Sequence, residues 1–69
     1  MTNTSMLQQA IKDSGLKISF ISRTIGLSRT GFYKKLSNES SFNAEEIKKL
    51  CELLEITDLK MKEAIFFAS

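Results

Sequence analysis

Residues 18–36 read ISFISRTIGLSRTGFYKKL, a stretch with two apolar-periodic runs joined at Gly26 and Leu27. Ile18, Ile21 and Ile25 recur at helical spacing, with Phe20 widening the apolar stripe, so a short helix is expected from Ile18 to about Ile25. Gly26 ends it. Only Gly26 and Leu27 stand between this helix and Ser28, whose hydroxyl can accept an orphan N–H at the start of the next one. That second helix is expected from Arg29 to about Leu36. Two helices joined so tightly must cross steeply, and the turn needs a residue free to take positive φ, which Gly26 supplies. Ser22, four residues before Gly26, is small enough to let the next helix approach. Ile21, Ile25, Leu27, Phe32 and Leu36 are the expected shared core.

This is a helix-turn-helix pattern, in which the second helix enters the DNA major groove. With Arg29 set at zero on a helical wheel, Tyr33, Ser37, Thr30 and Lys34 fall between about 0° and 140°, while Phe32 and Leu36 fall near roughly 300–340°. One face is therefore polar or cationic, and the other is apolar. Arg29 and Thr30 are placed to reach base edges, and Lys34 to reach a base or a phosphate. Lys17, Arg23, Ser28, Tyr33, Lys35 and Ser37 are the candidate DNA-backbone contacts. The plainer reading of the same face is a solvated amphipathic surface.

Before the motif, Ser5 and Gln8 fit a capping box for a first helix carrying Leu7, Ala10 and Ile11. Gly15 would end that helix as a left-handed cap, with Leu16 packing back, and Met1–Thr4 is expected to fray. After the motif, Asn38 suits a left-handed stop and Glu39–Ser41 a polar loop. Asn43 and Glu46 form a reciprocal cap, and Phe42 and Ile47 stand in the positions of a hydrophobic staple. Ile47, Leu50, Cys51 and Leu54 make one apolar face, with Glu45–Lys49 and Lys48–Glu52 paired opposite. Thr57 is expected to cap a last helix from Asp58 to about Ile65. The ending Ala64–Ala68 stays open between helix, edge strand and sticky tail. The expected fold class is all-α, with five short helices in a single domain over residues 1–69. The motif occupies about 18–36, and 64–69 is a candidate interaction segment.

Composition narrows the chemistry. The 69 residues include one Cys and no His, so neither an internal disulfide nor a Cys/His zinc site can form, and the commonest general base is missing. This argues against an enzyme, and no catalytic residue, metal or cofactor is expected. A lone Cys without a leader or a long apolar run points to a reducing, cytoplasmic setting. The net charge of +2 hides a split: residues 1–38 carry six cations and one anion, and residues 39–69 carry four cations and seven anions. A basic half beside an acidic half suits a polyanionic partner. Glu45, Glu52 and Glu55 are either a solvated face turned from DNA or a docking patch for a basic protein. Cys51 reads as a small core hydrophobe. A chain this short can bury one of Phe66 and Phe67 but hides both with difficulty, which makes Ile65, Phe66 and Phe67 the candidate partner interface.

These residues together resemble a Cro/repressor-type (XRE-like) helix-turn-helix domain over residues 5 to about 60. The resemblance is carried by Ile21, Ser22, Gly26, Leu27, Ser28, Arg29, Thr30, Phe32 and Leu36, and by Glu46–Thr57, which is similar to the family's fourth helix and its exit. Size and the Gly26–Leu36 wording look like the small switch proteins of temperate phages, Cro-like regulators and modulators of repression. The resemblance implies that Arg29, Thr30 and Lys34 hold the positions that usually touch bases. It also places Ile18 where the family often has a phosphate-binding Gln. The function so implied is a sequence-specific regulator of a lysis/lysogeny switch that binds double-stranded DNA as a homodimer. The alternative is an antirepressor in a heterocomplex with the neighbouring repressor. Neither reading calls for a membrane or a small-molecule substrate.

Overall fold

The computed structural model describes residues 1–68. In chain order it contains α1 (Thr4–Ser14), α2 (Ile18–Thr24), α3 (Arg29–Leu36), α4 (Ala44–Leu53) and α5 (Leu59–Phe66), with no strand among the described residues. The chain is all-α, and the open Ala64–Ala68 segment is helical through Phe66.

Each helix turns one large apolar side chain fully inward: Leu7, Ile21, Phe32, Leu50 and Ile65 in turn. Ile11, Ile25, Leu36, Phe42, Ile47, Cys51, Ile56 and Phe66 close around them. α2 packs on both α3 and α4, and α5 packs on α1. An aromatic row crosses this core. Phe32 meets Phe42 edge to face with ring centroids 5.9 Å apart, and Phe42 meets Phe66 in the same way at 6.0 Å. Such pairs are worth about 0.5–1.5 kcal/mol each beyond the area they bury. Through Phe42, a residue outside the helices, α5 is thus tied to α3.

The helix starts follow side-chain oxygens that satisfy orphan N–H groups. Asn43 and Glu46 form the expected capping box on α4, and Ser28 Oγ accepts from the Gly31 N–H at 3.0 Å on α3. Two starts differ from expectation. Asn3, not Ser5, caps α1, accepting from the Met6 N–H, and Asp58, not Thr57, caps α5, accepting from the Lys60 N–H. At α1 the earlier start has a distant cause. The Asn3 N–H donates to the Ile65 carbonyl at 2.6 Å, and Thr2 is buried, so Thr2–Thr4 is held rather than frayed, while Met1 is exposed.

Three helix ends repeat one device, the six-to-one backbone bond of a Schellman turn. Leu27 N–H donates to Ser22, Glu39 N–H to Lys34 and Ile56 N–H to Cys51, each at 2.8 Å. The left-handed residue preceding each donor is Gly26 (φ 85°), Asn38 (φ 67°) and Glu55 (φ 56°). The first two match their sequence reading. Glu55 carries a Cβ in a conformation that costs such residues about 1–2 kcal/mol. Some apolar assignments also shift outward: Phe20 is 48% exposed instead of widening the α2 stripe, and Leu27 and Leu54 are half-buried at the margin of the core.

Candidate nucleic-acid interface

The junction of α2 and α3 contains the small residues Ser22, Gly26 and Ser28. Ser22 is buried, and its hydroxyl donates to the Ser19 carbonyl at 3.2 Å, so it satisfies itself within its own helix. Gly26 turns the chain, and Ser28 starts α3. A Cβ on Gly31 would lie 3.2 Å from Ser28 Oγ, a tight contact that would push the capping oxygen aside by a few tenths of an ångström. Ser28 accepts that bond and keeps its own hydroxyl proton free to donate outward.

Phe32 and Leu36 are buried and fasten α3 to the core, while Arg29, Thr30, Tyr33, Lys34 and Ser37 are exposed. This is the division of faces that the helical wheel gave. Tyr33 lies edge-on to Phe32 at 6.4 Å, so its ring covers the margin of the helix with about half its surface free. Lys17 and Arg23 are exposed at the entry and the last turn of α2. Neither they nor Arg29 and Lys34 are paired with a carboxylate among the described residues.

Lys35 stands apart from the other candidates. Its ammonium is 2.6 Å from Glu46 Oε1, and the two side chains are only 18% and 10% exposed. Glu46 Oε1 also accepts from the Asn43 N–H at 2.9 Å. Burial alone would raise the Glu46 pKa. The Lys35 hydrogen bond, the Asn43 N–H and the charges of Lys35 and Lys49 outweigh it and hold the carboxyl below its usual range. Lys35 is therefore a strut between α3 and the start of α4, a correction to its place among the backbone contacts. Ser37 is exposed but engaged: its Oγ lies 3.1 Å from both the Lys34 carbonyl and a Glu39 carboxylate oxygen, which brings a negative charge to that end of the helix.

The candidate partner segment is also corrected. Ile65 and Phe66 lie in the core, and Phe67 alone of the three remains outside, at 60% exposure. Ile18 is half-buried against the core, so this position serves packing where a Gln would have offered a donor. Of the paired charges on α4, Glu45 and Lys49 approach to 3.9 Å. Burial raises the Cys51 thiol pKa, the effect of a small core hydrophobe, with the charge of Lys62 opposing it.

Two sets of contacts bearing on this surface carry no signal in the sequence. Thr4 Oγ1 donates to the Leu36 carbonyl at 2.7 Å. The Asn38 side chain accepts from the Thr2 N–H and donates to the Thr2 carbonyl, both at 3.0 Å. Asn38 was legible as a left-handed stop. Its partners, more than thirty positions away in the chain, carry no local signal.

A family model described as Cro/C1-type HTH DNA-binding domain matches residues 6–59, a span that includes α2, α3 and α4 whole. No curated protein and no solved structure gives a match. No helix among the described residues is long and apolar enough to cross a membrane.

Proposed function

The chain belongs to the Cro/C1-type HTH DNA-binding domain family and is a DNA-binding transcription regulator, and from that premise we propose that it reads a specific operator with α3. Arg29 and Thr30, in the first turn, are the proposed base-reading residues, with Lys34 one turn on. The observation that carries this reading is the exposed row Arg29, Thr30, Tyr33 and Lys34 on a helix held from behind by Phe32 and Leu36. A guanidinium with no internal carboxylate partner is free to pair bidentately with a guanine edge. Lys17, Arg23 and the Ser28 hydroxyl are the proposed phosphate contacts, which fix orientation without reading sequence. Selection of duplexes from a randomised pool at fixed salt tests the reading. Recovery of a shared sequence supports it, and recovery of no preference by folded protein would overturn it.

One module of this size is too small an interface for tight specific binding, so the working form is a dimer on a two-half-site operator. Leu59, Met61 and Phe67, the exposed apolar residues of α5 and its C-cap, support α5 as the contact. Leu59→Glu then turns a sedimenting dimer into a monomer, whereas a monomeric wild type at tens of micromolar removes this part of the proposal. The place of the regulator in a temperate-phage switch rests on the resemblance of its size and its Gly26–Leu36 sequence. The complex with a repressor has less to stand on with Ile65 and Phe66 inside, because Phe67 and the acidic residues near α5 are what remain for it.

A further inference from the structure

α3 is fastened differently at its two ends. Its N-terminal end follows from the motif itself: the Gly26 turn, the Ser28 cap and the buried Ser22. Its C-terminal end, where Leu36 is buried and Lys35 meets Glu46, is held further by residues the motif does not include. Thr4 Oγ1 donates to the Leu36 carbonyl at 2.7 Å, an acceptor on the last residue of the helix. The Asn38 amide grips both backbone groups of Thr2 at 3.0 Å, and its Nδ2 lies 3.4 Å from Thr4 Oγ1. Between those two residues, the Asn3 N–H donates to Ile65 on α5 at 2.6 Å. The segment Thr2–Thr4 thus joins the far end of α3 to α5 by hydrogen bonds alone, beside the aromatic row Phe32–Phe42–Phe66 that joins them by packing.

We propose that Thr4 and Asn38 are positioning residues for sequence recognition, fixing the angle of α3 without touching DNA. A bidentate contact from a side chain to a base edge tolerates little displacement, and such groups need a rigid support of their own. An eight-residue helix is about 12 Å long, so a tilt of about 5° on its capped first turn moves its far end by about 1 Å, carries Lys34 most of that way, and re-aims the long Arg29 side chain by a smaller amount. The clasp sits where that lever arm is longest. Phosphate contacts are less demanding, because a flexible lysine or arginine follows a small shift. Loss of the clasp therefore weakens binding to the operator more than binding to unrelated duplex, and it leaves the number of neutralised phosphates unchanged.

The inference rests on the DNA-reading role of α3, and its test separates the two. Asn38→Gly keeps the left-handed backbone and removes the clasp amide. Thr4→Val removes the hydroxyl and keeps the shape. Residual dipolar couplings of the α3 amides, relative to those of α1 and α4, report the helix orientation in the free protein. Binding to the duplex selected by the wild type, and to a scrambled duplex over a range of salt, reports recognition. The expected result is altered α3 couplings in both variants, with the ratio of operator to scrambled affinity falling about tenfold and the salt slope unchanged. Unchanged α3 couplings in both variants would overturn the positioning role, whatever DNA does. So would equal weakening on both duplexes with a flatter salt slope, which would make Asn38 or Thr4 a phosphate contact. Altered couplings in a chain whose wild type prefers no duplex would leave the clasp standing and defeat the DNA reading instead.

Discussion

Lys34 and Lys35 are neighbours in sequence with opposite surroundings. Lys34 is exposed, while Lys35 lies against Glu46 with most of its side chain covered. Consecutive helical residues are about 100° apart, which carries Lys35 away from the outward row and toward α4. Lys35→Ala is expected to lower stability by about 1.5–3 kcal/mol, the scale of a hydrogen bond to a charged group. It should leave the salt slope of DNA binding unchanged. A slope flattened by about one unit would restore Lys35 as a phosphate contact. The same pair makes a pH prediction. The folded pKa of Glu46 is depressed, so its contribution is complete above the unfolded value, about 4.3, and is lost as pH falls through the lower folded value. Denaturation from about pH 6 downward should show wild type more stable than Glu46→Gln, with the gap closing below about pH 4. A gap independent of pH would contradict the assignment.

Among the elements, α2, α3 and α4 were legible because their signals are local. Ile21 and Ile25, the Gly26 turn, the Ser28 cap and the Asn43–Glu46 box all act within a few residues of where they stand. The first and last helices were read less well. Ser5–Gln8 imitates a capping box, but Asn3 wins because its backbone is held by Ile65 across the fold. Phe66 faces inward because Phe42 offers it a ring edge, a partner more than twenty residues away. The outward row on α3 was legible from helical period alone, whereas the Lys35–Glu46 strut and the Asn38 clasp depend on packing between elements. The α4 end supplies its own test. Glu55 takes a left-handed φ of 56° at a position glycine occupies without strain. Glu55→Gly should stabilise by about 0.5–1 kcal/mol, raising the melting temperature by several degrees. A fall on thermal melting would show that the Glu55 side chain contributes more than its backbone costs.

At the scale of the whole molecule, one fully buried side chain from each helix meets in a core closed by the Phe32–Phe42–Phe66 row. A chain of 69 residues has little stability in reserve. Leu50→Ala should cost about 2–5 kcal/mol and largely unfold the protein at 37 °C. Circular dichroism showing a melting point within a few degrees of wild type would contradict the central place given to α4. This core leaves Arg29 on α3 exposed and without a carboxylate partner among the described residues, and the proposed reading of DNA by α3 is the claim on which the functional account depends. The most direct test is binding of wild type and Arg29→Ala to the selected duplex, and to every single-base variant of it, at one fixed salt concentration. The account predicts that Arg29→Ala binds the selected duplex about 1–3 kcal/mol more weakly and no longer discriminates at one base position per half-site, with the others still read. Unchanged discrimination at every position would contradict it.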